Sequence, residues 1–229
     1  MPRPSSRTNT ASTTSSTAMR SRWSASATAC AWGGGLGLLS ASSHRVVTET
    51  SRVAMPEITI GLFPDAGGTA LLSSMPGALG LFLGLTGAHI NGADALEAGL
   101  GRFLVTDDRR EALEAALLAA AWSGDRAQDD ALLDALLADL DAASRDARPA
   151  SKLAEHRAAI DAALDGVGDD YAQALAGIRS LAGTDPWIDK GLASLEKGCP
   201  ATAGIVVEQL HRARGMALAD MFRMELVIG

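Results

Sequence analysis

Apolar residues recur at three- and four-residue spacing through most of the second half of the chain. Stretches 107–122, 129–143, 152–164 and 169–181 each carry such a stripe, which predicts amphipathic helices. Asp185-Pro186 predicts another, with the Asp as cap and the Pro in the first turn, and two more follow over about 201–212 and 217–227. The sequence stops inside the last of these without a capping signal, so truncation there is the expectation. The first half patterns differently. Gly33 to Gly37 reads as a tight turn leading into a short helix over 36–42. The β-branched run 45–50 reads as a strand, and 51–55 as a second extended piece. Pro64-Asp65 can open a helix over 66–74, with Asp65 as its N-cap. Short helices are expected at about 79–85 and 93–98, and a strand at 102–105. No internal sequence repeat is visible. The fold class expected is α/β: a βα-type segment over 33–106, then a helical region over 107–229.

Composition divides the chain once more. Residues 1–32 hold 14 Ser or Thr, four Arg and no acid, whereas acids occur throughout from Glu49 onward. Three readings compete for this segment. It could be a disordered polar tail. It could be a transit peptide, being Arg- and Ser-rich, although clear amphipathic periodicity is absent. The third reading, a frameshift, makes the sharpest predictions. Residues 21–32 can be encoded by DNA whose neighbouring frame reads KPLVSIGDGVRM and runs directly into Gly33-Gly34-Gly35. That string has the apolar strand and glycine-turn character that the segment itself lacks. Likewise 10–20 is compatible with YRLNHLIHRYA, a plausible amphipathic helix. The frameshift is preferred, and an intact single frame supported by homologous DNA contradicts it.

Charge and cysteine usage narrow the function classes. A net charge of −7 and a pI near 5.1 argue against nucleic acid or an anionic membrane as a partner. Cys30 and Cys199 support neither a disulfide framework nor a zinc site, so a reduced, cytoplasmic protein is expected. The longest apolar run, 79–85, is far too short to span a bilayer. His44, His89, His156 and His211 lack metal-ligand spacing and read as surface or packing residues, and no metal is expected. The acids between Asp125 and Asp146 read as solvated helix faces. Cys199, near a helix start, could be reactive, but with no local His partner it reads as structural.

Chemistry concentrates in Ala54 to Gly68, AMPEITIGLFPDAGG, where Glu57 and Asp65 stand in a run otherwise dominated by apolar residues, Gly and Pro. A half-buried carboxylate costs several kcal/mol unless it is paired, roughly 3–5 where a buried charge is left alone, so two of them need a reason. Upstream, Gly33-Gly34-Gly35 lacks the Lys-Ser/Thr of a P-loop and only weakly imitates a dinucleotide fingerprint. Glycines opening a helix leave N–H groups free at the positive end of its dipole, an arrangement that can stabilise an oxyanion.

These motifs together resemble the enoyl-CoA hydratase/isomerase (crotonase) superfamily. The residues that carry the resemblance are Gly33-Gly34-Gly35-Leu36-Gly37, Met55 through Thr69, Met75-Pro76-Gly77, Leu85-Thr86-Gly87, Asn91 through Ala95 and Ala98-Gly99-Leu100. Within the superfamily, Gly37 in place of a second glutamate and Asp65 in place of a glycine point to the 3-hydroxyisobutyryl-CoA hydrolases. Asp185-Pro186-Trp187, Cys199-Pro200-Ala201-Thr202 and 216–225 resemble the hydrolase C-terminal region, with Cys199 where Ser is usual.

The resemblance implies a crotonase-like ββα core, here incomplete, followed by helices. It implies thioester hydrolysis of 3-hydroxyisobutyryl-CoA, with coenzyme A as part of the substrate and no separate cofactor, and it allows a homo-oligomer. Gly34, in the Gly33–Gly35 run, should supply one oxyanion N–H. Glu57 should be the catalytic carboxylate, as base or nucleophile. Asp65 should help bind the acyl group and hold Glu57 in place. The second oxyanion donor and much of the CoA surface lie upstream of the glycine run in this family, and those residues are absent. An inactive or unstable fragment is therefore the alternative, and a hydratase or isomerase the third option.

Overall fold

The computed structural model describes residues 24–27, 30–32, 34–40 and 42–229. The described residues open on β1 (Ser24–Ala27), β2 (Cys30–Trp32) and α1 (Gly34–Ser40), then β3 (His44–Val47) and β4 (Arg52–Ala54). A 3-10 turn over Pro56–Ile60 leads to α2 (Gly68–Ser73) and α3 (Leu79–Thr86), then β5 (Ile90–Asn91), α4 (Gly92–Glu97) and β6 (Phe103–Leu104). The remaining helices are α5 (Arg110–Ala119), α6 (Arg126–Ala143), α7 (Lys152–Ala163), α8 (Tyr171–Ser180), α9 (Pro186–Lys197), α10 (Pro200–Ala213) and α11 (Leu218–Ile228).

Consecutive strands enter different sheets. β1, β3 and β6 form one parallel sheet, in which Ser24 stands opposite His44 and Val47 opposite Leu104. β2, β4 and β5 form the other, with β2 parallel and β5 antiparallel to β4. Two strands followed by a helix therefore occur twice, β1-β2-α1 and β3-β4-α2, a structural repeat with no trace at the level of sequence. The structure departs from the expectation of an unstructured segment up to Trp32 in two stretches, β1 and β2. Parallel ladders are made by backbone groups, so pairing does not require the apolar pattern that the sequence reading looked for. Residues 1–23 lie outside the described residues.

One continuous apolar core joins the ββα units to the helical region. Leu36, Val47, Val53, Phe82 and Leu85 pack in the same cluster as Leu153 of α7, Ile178 of α8, Ile188 of α9 and Val206 of α10. Phe82 at its centre is fully buried, and truncating such a residue to Ala costs about 3–5 kcal/mol. A smaller cluster, Val46, Phe103, Val105, Leu133 and Leu137, joins the first sheet to α6.

Three acids of α6 depart from the reading of solvated faces, whereas Asp125, Asp139 and Asp146 are exposed as expected. Asp129 is buried and accepts from the Ser123 and Gly124 N–H groups, at 2.7 and 3.1 Å. Asp141 accepts from the Leu104 N–H at 2.7 Å, and Asp134 lies 3.0 Å from Nε2 of the buried His44. Asp134 and Asp141 tie α6 to the sheet, and Asp129 ties it to the loop that precedes it. The periodicity that placed the helix correctly could not show which polar side chains it turns inward.

Candidate functional site

Glu57 sits in the one-turn 3-10 helix that follows β4. Pro56 opens the turn, and Gly61 closes it with a left-handed φ of 72°. The Gly61 and Leu62 N–H groups both return to the Glu57 carbonyl. Five residues are too few to show a period, so the pattern of the sequence did not reveal this element.

Neighbours press on the turn from two sides. Gly87, the left-handed cap of α3, lies so close that an added β-carbon would stand 3.2 Å from Ile58 Cγ2 and 3.3 Å from Pro56 Cα. Gly198, at the α9–α10 junction, packs on Ile58, and the Cys199 N–H reaches the Ile58 carbonyl at 3.5 Å. The glycines on both sides thus have one physical purpose: they admit the backbone of the Glu57 turn at close range.

Glu57 is only 9% exposed, and its Oε2 has no hydrogen-bond partner. Burial pushes its carboxyl above the ordinary value, its own backbone N–H pulls the other way, and the Asp65 charge adds a smaller upward push. A buried carboxylate with an unpaired oxygen and a raised affinity for protons is suited to take a proton from a bound reactant.

Asp65 lies in the loop between the turn and α2, and its side chain is exposed. The expected N-cap role is corrected. Ala66 and Gly67 both adopt positive φ, 48° and 94°, which delays the helix to Gly68 and makes Gly67 the cap position. The capping carboxylate is instead Glu225 of α11, which accepts from the Gly67 and Thr69 N–H groups at 2.8 and 2.9 Å. Gln209 of α10 donates to the Pro64 carbonyl at 3.2 Å and to Thr69 Oγ1 at 3.1 Å. Sequence reasoning missed both residues. The one available signal was Glu225 standing alone in the apolar run Met224-Glu225-Leu226-Val227.

Gly34 is the first residue of α1, so its N–H belongs to the turn that has no intrahelical acceptor. Gly35 is exposed with open space where a β-carbon would stand, and Gly33 lies outside the described residues. A β-carbon on Gly37, one turn later, would stand 3.7 Å from the Ala66 carbonyl. The glycine helix and the Asp65 loop are therefore neighbours in space.

The other candidates resolve as follows. Glu155, His156 and Asp185 bring three donor atoms within 4.8 Å, a grouping hidden from sequence spacing. Lys152 Nζ already bonds both carboxylates, at 2.9 and 2.7 Å, and holds Asp185 down at about 2. Burial, then the Lys190 charge, lowers the proton affinity of His89. Cys199 is a half-buried free thiol at the N-cap of α10, and the Thr202 N–H and hydroxyl lower its pKa. A cleft of about 730 Å³ is lined by Ser74, Asp161, Val207, His211, Arg214 and Met216 among others, and one of about 440 Å³ lies between α10 and α11; neither is lined by Glu57 or Asp65. The unpaired buried carboxylate is a better marker of chemistry than cleft size, because its burial is costly unless a reactant meets it. Among the described residues, no helix is long and apolar enough to cross a membrane.

A family model described as enoyl-CoA hydratase/isomerase matches residues 27–229. The chain is 32% identical to 3-hydroxyisobutyryl-CoA hydrolase 1 of Arabidopsis thaliana over 197 residues, covering 84% of this chain and 50% of that protein. It is 34% identical to the mitochondrial 3-hydroxyisobutyryl-CoA hydrolase of Danio rerio, with 84% and 48% covered. An enoyl-CoA hydratase from Rhodobacter sphaeroides superposes with a TM-score of 0.70 at 28% identity, over 91% of this chain and 55% of that one. A carnitinyl-CoA dehydratase from Mycobacterium thermoresistibile gives 0.68 at 34% identity, over 85% and 52%. The chain spans about half the length of these relatives. With the repeated ββα units and the Glu57 turn already in place, these matches identify the chain as a member of the enoyl-CoA hydratase/isomerase family.

Proposed function

We propose that the protein hydrolyses an acyl-CoA thioester, with 3-hydroxyisobutyryl-CoA as substrate and 3-hydroxyisobutyrate and CoA as products. The observation that carries this reading is Glu57, a buried carboxylate with a free Oε2 beside the Asp65 loop. In its ionised form Glu57 takes a proton from water as the water oxygen bonds to the thioester carbon, or its own oxygen attacks that carbon and water then hydrolyses the acyl-enzyme. The Gly34 N–H stabilises the charge that develops on the carbonyl oxygen. The C–S bond breaks, and the departing sulfur leaves as CoA thiolate or takes up a proton to give the thiol. Asp65, exposed at the mouth of the site, accepts from the 3-hydroxyl of the acyl group. Two carboxylates in different surroundings can hold different protonation states, which suits separate roles. The expected cytoplasmic setting belongs to this reading, although several relatives are named as mitochondrial.

The test is free CoA release from 3-hydroxyisobutyryl-CoA by the purified chain, with Glu57→Ala as control. Release that disappears in the variant supports the reading, and no release from folded protein counts against it. A hydratase is the second reading, favoured by the Rhodobacter sphaeroides neighbour. Gly37 speaks against it, because it stands where the resemblance calls for a second catalytic glutamate in hydratases. Hydration of crotonyl-CoA by the same preparation would favour it.

A further inference from the structure

The Asp65 loop is held in an unusual way. A helix normally takes its cap from the residue just before it. Here the nearby acid, Asp65, is left exposed, and the cap comes from Glu225, 158 residues beyond Gly67. Glu225 and Gln209 are both at least nine-tenths buried, so their bonds are shielded from competing water. Their contacts bracket Asp65. Gln209 grips the Pro64 carbonyl on one side, and Glu225 grips the Gly67 and Thr69 N–H groups on the other. Phe222, one turn before Glu225, packs on Gly67, where an added β-carbon would stand 3.2 Å from its ring. Between these grips Ala66 holds a positive φ, a conformation that persists only where surrounding contacts over-determine it.

We infer that Glu225 and Gln209 are positioning residues of the active site: they fix the backbone around Asp65 so that its carboxylate stays free and aimed at the acyl group beside Glu57. The inference rests on the hydrolase reading for its chemistry. It makes the last two helices part of the site, although neither residue touches the reacting atoms.

The test compares wild type with Glu225→Gln and Gln209→Leu, each checked for folding by near-UV circular dichroism. Glu225→Gln turns an amide N–H₂ toward backbone N–H groups, which should release the loop. CoA release per folded molecule is expected to fall at least tenfold. The Glu57 carboxyl, followed by NMR titration, should move slightly down as the Asp65 charge, the smaller of its two upward pushes, drifts away. A purely structural role changes the amount of folded protein and leaves that titration in place. Should Glu225→Gln not fold, Gln209→Leu carries the same expectation. In an Asp65→Asn background, Glu225→Gln should cost less than twofold more. A rate per folded molecule within twofold of wild type, or an unmoved Glu57 titration, overturns the inference. If wild type itself releases no CoA, the hydrolase reading fails, and the titration still decides whether Glu225 positions the loop.

Discussion

The turn that carries Glu57 and the loop that carries Asp65 are neighbours in sequence and are held by opposite means. The turn is fixed by packing: Gly87 and Gly198 let two helix ends close on Pro56 and Ile58, and the carboxylate is buried. The loop is exposed, has two residues at positive φ, and is fixed by hydrogen bonds from Glu225 and Gln209. The difference fits the roles proposed for the two acids, Glu57 as base and Asp65 as acceptor for the substrate hydroxyl. A base gains from desolvation, which raises its affinity for a proton, so it belongs in a packed turn. An acceptor for a substrate hydroxyl must stay charged and reachable, so its backbone is tied while its side chain is left in solvent.

The largest effect expected is for Glu57→Gln, which should lower CoA release by about 10²–10⁴, the range for removing a general base. The same variant should be more stable than wild type at pH 7. The folded-state pKa of Glu57 lies above its unfolded value, so the folded form binds the proton more tightly. Stability from this group is full below the unfolded value and is lost as pH rises through the folded one. The difference in Tm should therefore close below about pH 4, where both states are protonated.

Next comes Asp65→Asn. Loss of a hydrogen bond to a charged group costs about 1.5–3 kcal/mol, or roughly 10- to 100-fold, toward the 3-hydroxyacyl thioester. Toward the analogue lacking the hydroxyl the loss should be small, and the ratio of the two rates is the measurement. The acid limb of the rate profile should move only slightly downward, because burial outweighs the Asp65 charge in raising Glu57.

Gly87→Ala tests the packed turn. Its left-handed φ of 58° and its contact with Ile58 and Pro56 should make the variant less stable by about 1–2 kcal/mol in chemical denaturation. The smallest effect belongs outside both regions. Arg110→Ala on α5 removes an exposed i,i+4 ion pair with Glu114 and should change stability by less than about 0.5 kcal/mol.

The packed turn and the tied loop were unequally legible in the sequence. Glu57 stood out because its motif is local, and the helices from α5 onward followed from apolar spacing that real helices keep. The possible cap role of Asp65 did not hold, because the positive φ of Ala66 and Gly67 shifts the helix start to Gly68. Glu225 and Gln209 escaped because they act across 140 residues or more, and no local pattern encodes a contact at that range. Asp134 and Asp141 were read as solvated for the same reason: apart from Arg148, their partners His44, Arg102 and Leu104 lie on the sheet or beside it.

The most direct test is the pH dependence of kcat/KM for CoA release from 3-hydroxyisobutyryl-CoA. The expected profile rises with pH through an apparent pKa above the ordinary glutamate range, and that limb is lost in Glu57→Gln. A limb at the ordinary glutamate value, or a Glu57→Gln variant that keeps the wild-type rate and profile, would contradict the assignment of Glu57 as the buried catalytic carboxylate.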